Sequence, residues 1–316
     1  MAEISLIIPA YNAENHIANC LDSLLNQINI DIEIIIVNDC STDNTKEILN
    51  NYVERHNNIK IINTEKTSGP GIARNQGIEC VTSQYIGFID SDDWVDLNFY
   101  MTLVDAIKNK NCDIAIAGIA DEYNNTVSTS LRYAYNNFAV IDGKTGIKLM
   151  TKSCNLGMYI TPIMNNKVYK TDFIKKYNIR CSENQSWQDD FFSFFAILRA
   201  QKICVVPNIQ YHYRQHENSI THNLTTSTVK IDNCIDVLIK IKEELQAQDL
   251  YIAHEKDYNA FVERCITSLL VQLRRNSQYS LNDSLIYLFD SIYKNFNMKK
   301  IISYLDNERI YKFFNL

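Results

Sequence analysis

The sequence predicts a doubly wound α/β domain, with a mostly parallel Rossmann-like sheet, followed by an all-helical subdomain. Two observations carry that prediction. From Ile4 to Gly118, short apolar β-branched runs alternate with stretches of helical periodicity, as a buried parallel sheet and its crossover helices require. From Asn208 to Leu316 the chain holds neither glycine nor proline, whereas all eight glycines lie between positions 69 and 157. At 316 residues and 46% hydrophobic content there is ample material for a core.

The strands are expected at ISLII (4–8), IEIIIV (32–37), IKII (59–62), YIGFI (85–89) and DIAIAG (113–118). Ile17, Cys20, Leu21, Leu24 and Leu25 make the apolar face of a first helix. Ile48, Leu49, Tyr52 and Val53 make a second, with Ser41, Thr42 and Asp43 as candidate N-caps. Beyond about Thr225 three faces recur at helical spacing: Ile231, Ile235, Leu238, Ile241 and Leu245; then Tyr258, Val262, Cys265, Leu269 and Leu273; then Leu281, Leu285, Leu288 and Ile292. We therefore divide the chain into 1–222, a ligand-binding and catalytic domain, and 223–316, a helical subdomain.

Several function classes are disfavoured by composition. A net charge of −6 is unsuited to neutralising nucleic-acid phosphates. No apolar run approaches the ~20 residues of a bilayer span, and the N-terminus lacks a basic region and cleavage site, so a cytoplasmic protein is expected. The nine cysteines are scattered, never form C-x-x-C, and read as reduced core residues.

In an open α/β sheet, ligands bind beyond the carboxyl ends of the strands. Unusual polar residues stand at those places here: Pro9, Tyr11 and Asn12 after the first run, Asp39 after the second, and Asp90, Ser91, Asp92 and Asp93 after the fourth. Asp90 and Asp92 are two apart, and like charges so close favour a hard cation such as Mg2+ or Mn2+; capping of the next helix is the competing explanation. Tyr11 offers a ring for a nucleobase and Asp39 an acceptor for a base N–H, although Tyr11 taken alone is an ordinary strand-end aromatic. In SGPGIARNQG (68–77), glycines permit a tight loop and Arg74 lies in the first turn of a helix, where anions are favoured, or else on the surface. The loop is neither G-x-G-x-x-G nor a Walker motif.

Taken in order, SLIIPAYNAENHIANCLDSLLNQ, EIIIVNDCSTDNT, GPGIARNQG and YIGFIDSDDWVD resemble bacterial family 2 glycosyltransferases of the GT-A fold. The resemblance implies that Tyr11 and Asp39 hold the uracil of a UDP-sugar, with Pro9, Asn12 and Glu14 beside them. It implies that Asp90 and Ser91 meet the ribose and Asp92 holds the divalent metal, Mn2+ or Mg2+. It continues into WQDDFFSFFAILRA (187–200) and YHYRQHENSITH (211–222), where Asp189 corresponds to the catalytic base, Arg214 and Ser219 reach the diphosphate, and His216 contacts diphosphate or metal. Two departures stand out: Gln188 replaces the family's Glu, and Asp190 offers an alternative base. Read without the family, Asp189 is a helix N-cap ahead of a buried face of Phe191, Phe192, Phe195 and Leu198.

The resemblance further implies an inverting transferase acting on a glycan or lipid-linked acceptor for bacterial lipooligosaccharide or capsule, at the cytosolic face of the inner membrane. The helical subdomain is then open to acceptor contacts, homodimer formation or peripheral membrane association. Lys294, Lys299, Lys300, Arg309 and Lys312, interleaved with Tyr293, Phe296, Tyr304, Phe313 and Phe314, suit anionic lipid or an ordinary solvated helix face over core aromatics. A sugar nucleotidyltransferase would carry a Gly-rich basic loop after strand one, which PAYNAENH is not; a non-catalytic relative binding a nucleotide sugar draws its support from Gln188. No motif between about 119 and 186 identifies the sugar.

Overall fold

A computed structural model describes residues 2–123, 129–152, 158–184, 186–215, 227–275, 287–288, 290–292 and 294–296. The first strands and helices follow one another as β1 (Ile4–Ala10), α1 (Ile17–Leu25), β2 (Ile32–Asn38), α2 (Thr45–Val53), β3 (Ile59–Asn63), α3 (Pro70–Glu79) and β4 (Tyr85–Phe88). Then come β5 (Trp94–Val95), α4 (Phe99–Lys110), β6 (Ile114–Tyr123), β7 (Thr129–Tyr133), β8 (Ala139–Ile141) and α5 (Gly143–Met150). The remainder is β9 (Lys167–Lys170), α6 (Thr171–Lys176), α7 (Gln188–Arg199), β10 (Ile203–Gln215), α8 (Ser227–Ala247) and α9 (Tyr251–Arg275).

The sheet runs β3-β2-β1-β4-β9-β6-β10-β5, with β7 on β6 and β8 on β10. β1 is parallel to both β2 and β4, so the strand order reverses there and a crevice opens beyond their carboxyl ends. All five expected strands form. β9 was not anticipated: it enters antiparallel between β4 and β6 and makes the sheet mixed. Every residue of β2 is buried, including Glu33, whose carboxylate takes a 2.7 Å hydrogen bond from Ser5 and a 2.5 Å ion pair from Lys60. That continuous burial is what a strand covered by helices on both faces should show. Ile17, Cys20, Leu21 and Leu24 of α1 are buried, each large aliphatic contributing roughly 1.5–3 kcal/mol. The cap of α2 is Asn44 rather than an earlier residue, although Asp43 Oδ1 still accepts the Thr45 amide at 3.0 Å.

The chain divides into two compact units: Met1–Gly146 with Thr161–Ser219, and Ile147–Ile160 with Ile220–Leu316. The second unit thus takes in 147–160, which the sequence reading had left in the first domain. Within it α8 buries Ile231, Ile235, Leu238, Ile241 and Leu245, and α9 buries Tyr258, Val262, Cys265, Leu269 and Leu273. Leu288 and Ile292 are buried too; Leu281 and Leu285 lie outside the described residues, as do Tyr293, Lys299, Lys300, Tyr304, Arg309, Lys312, Phe313 and Phe314. Among the described residues no helix is long and apolar enough to cross a membrane.

One expectation is overturned. Cys112 and Cys204, read from the sequence as reduced thiols, are joined in a disulfide. They are 92 positions apart, and only the parallel pairing of β6 with β10, Cys204 opposite Ala115, brings them together.

Candidate active site

The loops after β1 and β2 are stitched to each other by their own side chains. Asn12, at φ +48°, accepts the Thr42 amide at 2.8 Å, and its own amide donates to Ser41 Oγ at 3.1 Å. Glu14 Oε2 accepts the backbone and side-chain N–H groups of Asn44 at 3.0 and 2.8 Å, while the Glu14 amide donates to Asp43 at 3.1 Å. Both residues expected at the nucleotide therefore direct side-chain oxygen toward the neighbouring loop. Above them Pro9 is half-buried and Tyr11 is 51% exposed, a large aromatic ring presented to solvent at the crevice edge.

Asp39 is buried, and its carboxylate organises the loop between β3 and α3. It accepts the Ser68 amide at 2.9 and 3.0 Å, Ser68 Oγ at 2.8 Å, the Gly69 amide at 2.8 Å and Thr64 Oγ1 at 3.0 Å. Gly69 adopts φ +90°, a left-handed conformation that a side chain would strain. Pro70 then opens α3 at its first turn.

α3 carries Arg74 into the interior rather than onto the surface. It sits in the second turn, only 4% exposed, and its Nη2 pairs with Asp90 Oδ1 at 2.5 Å, while Nε and Nη1 have no hydrogen-bond partner among the described residues. The guanidinium's pKa stays raised despite burial, through the charge of Asp90 above all. Asp90 is thus held by a buried cation at the carboxyl end of β4.

β10 fixes the rest of that turn. The Tyr211 hydroxyl, fully buried, donates to Asp93 and accepts from the Asp90 amide at 3.2 Å and from Asn165 Nδ2 at 3.3 Å. The other Asp93 oxygen accepts the Arg214 amide at 2.8 Å. Burial, then the charges of Asp92 and Asp90, push the Asp93 carboxyl well above the usual range. Arg214 Nε donates to the Asp92 carbonyl at 2.8 Å, and its guanidinium lies 4.6 Å from the Trp94 ring centroid. Trp94 in turn stacks on His212 at 5.3 Å and 5° between planes.

These contacts sort the carboxylates. Asp93 is fully enclosed with both oxygens bonded, and Asp90 is paired with Arg74; Asp92 stands half-buried at the apex, with Ser91 beside it. Asp90 and Asp92 are both partly exposed beyond β4, and carboxylate oxygen of this kind suits a hard cation that brings phosphate and water ligands of its own. Among the described residues no group of three or more His, Cys, Asp or Glu is arranged to hold a metal ion.

α7 supplies the second carboxylate pair. Its N-cap is Trp187, at φ +66°, with no side-chain cap bond, so Asp189 is not the cap; Gln188, Asp189 and Asp190 form the first turn, where acidic groups suit the helix dipole. Gly71 of α3 lets this segment close in: a Cβ there would meet Ser182 O at 2.1 Å and Gln188 Cβ at 3.2 Å. Asp189 is half-buried and Asp190 buried. Burial first, then the charge of Asp190, raise the Asp189 carboxyl to about 7, with Arg74 opposing. Lys167 at the start of β9 is also near enough to feel Asp189; it is buried among Thr161 O at 2.9 Å, Asn166 Oδ1 at 2.7 Å and Ile163 O, and burial pushes its ammonium down to about 7.

Of the expected residues, His216 and Ser219 lie outside the described residues. Tyr211, His212 and Lys167 went unremarked as site components. For Tyr211 the available signal was alternation along β10, which sets Tyr211 and Tyr213 on one face and His212 and Arg214 on the other.

The sequence and the fold have counterparts. Residues 5–173 match the family model of Glycosyl transferase family 2. The chain is 33% identical over 220 residues to the putative glycosyltransferase EpsH of Bacillus subtilis, covering 69% of this chain and 62% of that protein. It is 28% identical over 262 residues to the poly(ribitol-phosphate) beta-N-acetylglucosaminyltransferase TarS of Staphylococcus aureus, covering 81% of this chain and 42% of that one. The solved structure of TarS residues 1–349 superimposes with a TM-score of 0.70 at 22% identity, covering 94% of this chain and 82% of that one; the same fragment was also solved with UDP-GlcNAc. A Pyrobaculum calidifontis mannosyltransferase, solved with GDP-Man and Mn2+, gives 0.55 at 12%, covering 93% of this chain and 87% of that one. The fold is GT-A, and the chain belongs to glycosyl transferase family 2.

Proposed function

We propose that this chain is an inverting glycosyltransferase that moves a sugar from a UDP-sugar to a hydroxyl of a bacterial surface polymer. The observation that carries the proposal is the convergence of two carboxylate sets. Asp90 and Asp92 end β4, and Asp189, raised to about 7, opens α7; Arg74 lies between, paired to Asp90 and feeling the charge of Asp189. Tyr11 gives the uracil a stacking face, Asp39 meets the base from within the loop it orders, and Asp90 meets the ribose with Ser91. Asp92 would hold Mn2+ or Mg2+, which would offset charge on the diphosphate.

Asp189 takes the proton. The acceptor oxygen attacks the anomeric carbon, the bond from that carbon to the diphosphate oxygen breaks, UDP leaves, and the acceptor's proton passes to the Asp189 carboxylate. A carboxylate whose proton affinity is raised by burial and by Asp190 takes a proton more readily than an ordinary one. Arg214, lying on Trp94, faces the leaving diphosphate, whereas Arg74 acts by holding Asp90. The acceptor class follows the names of the curated relatives, and a polyol-phosphate polymer or another surface glycan fits them.

UDP release from a panel of UDP-sugars, with Mn2+ and with chelator, tests this. Release with metal that falls by about a hundredfold or more in Asp189→Asn is expected. Release undiminished in that variant would remove Asp189 from the base role, and no release with any donor would favour a binding module.

A further inference from the structure

His212 is held in a way that only its charged form satisfies. Its Nδ1 lies 2.7 Å from Glu122 Oε1 on β6, and its Nε2 lies 2.9 Å from Asp96 Oδ1 just beyond β5. A neutral imidazole has a single N–H, so one of the two contacts would then set a ring lone pair against a carboxylate oxygen. An imidazolium donates to both. The ring is also stacked almost parallel on Trp94, whose indole carries the Arg214 guanidinium at 4.6 Å.

A continuous line of contacts therefore runs from Glu122 and Asp96 through His212 and Trp94 to Arg214, and from Arg214 Nε to the Asp92 carbonyl. We propose that His212 is a positioning residue whose protonation holds Trp94, and through it Arg214, in place to meet the donor diphosphate. The proposal rests on the assignment of Arg214 to that diphosphate. The charged groups facing His212 are Asp96, Glu122 and, across the indole, Arg214. Burial alone would push His212 down, but the hydrogen bonds to Asp96 and Glu122 outweigh it and leave the ring raised. The device is therefore engaged while His212 is protonated, to higher pH than an ordinary histidine, and is released as pH climbs past that raised range.

Two measurements test it. With Trp187→Phe as background, Trp94 is the remaining indole, and a stacked imidazolium should quench its emission. Emission should rise as pH climbs through and beyond the ordinary histidine value of about 6.5, with one midpoint above that value, and should be flat when His212→Gln is added. In parallel, calorimetry with UDP and Mg2+ should show native-chain affinity relative to His212→Gln falling about fivefold across that titration, the weight of one lost cation–π contact. Flat emission, or the same titration in His212→Gln, would overturn the stack. Emission that titrates while relative UDP affinity stays constant would overturn the coupling to Arg214. No UDP binding at any pH would instead sink the donor assignment and the coupling with it, a failure separable from the first because emission needs no nucleotide.

Discussion

Replacing Tyr211 with Phe deletes one oxygen that is bonded on three sides. The hydroxyl donates to the buried Asp93 carboxylate and accepts from the Asp90 amide and Asn165 Nδ2. Loss of a buried hydrogen bond costs about 0.5–1.5 kcal/mol, and each buried donor left unpaired costs about 1–3 more, part of which relaxation recovers. A net loss of roughly 3 kcal/mol is expected. For a unit of roughly 200 residues that lowers the melting temperature by about 6–12 °C. Thermal denaturation followed by circular dichroism reads this directly, with Tyr123→Phe as a control at a half-exposed strand end, expected within about 0.5 kcal/mol of the parent. Because the same oxygen spans the Asp90 amide and the Asp93 side chain, donor KM should rise in Tyr211→Phe more than kcat falls. A melting shift under about 2 °C would refute the idea that this hydroxyl anchors the turn.

The remaining predictions concern α3, α7 and the disulfide. Gly71→Ala forces a methyl to within 2.1 Å of Ser182 O, so it should destabilise by about 1–3 kcal/mol and cut transfer activity, read by melting and UDP release; unchanged values would contradict the close packing of α3 on the start of α7. For Asp189 the folded value, about 7, exceeds the ordinary 3.8, so between these the folded state binds more protons than the unfolded one. The stability associated with this group is complete below the ordinary carboxyl range and lost as pH rises to about 7; Asp189→Asn should therefore melt above the parent by a margin that widens over that interval, and a constant margin would contradict the shift. Thiol counting in denaturant should find two fewer reactive cysteines without reductant than with it, since Cys112 and Cys204 are joined; equal counts would show the pair reduced.

Features set by local pattern were legible in the sequence. The five apolar β-branched runs became strands because a buried parallel strand needs little more than continuous apolar character, and α8 and α9 kept their apolar faces because neither contains glycine or proline, although α9 is kinked at His254, whose φ of −117° and ψ of 15° are non-helical. Features that arise between distant segments were not. β9 is four residues in a stretch without motif, and it is a strand because β4 and β6 both present edges to it. Arg74 reads as an exposed anion-binding residue until the fold turns it inward onto Asp90. Asn12 and Glu14 were expected to face a ligand, yet their side-chain oxygens bridge to residues near 42 and 44, because two loops meet at the point where the strand order reverses. DSDDWVD was legible as a cluster of charge, but the partners that tie Asp93 and Asp96 to β10, which are Tyr211, Arg214, Gln210 and His212, lie more than a hundred residues further along the chain.

The central claim is that Asp92 carries a divalent cation at which a UDP-sugar docks. Thermal shift against UDP-sugars, with Mn2+ or with chelator, in the parent and in Asp92→Asn, tests it most directly. Ligand at about a hundredfold its dissociation constant should add roughly 2.7 kcal/mol, so the account predicts a clear upward shift in the parent with Mn2+, little with chelator, and little in Asp92→Asn under either condition. An equal shift with chelator, or an Asp92→Asn protein stabilised by donor and Mn2+ as strongly as the parent, would contradict it.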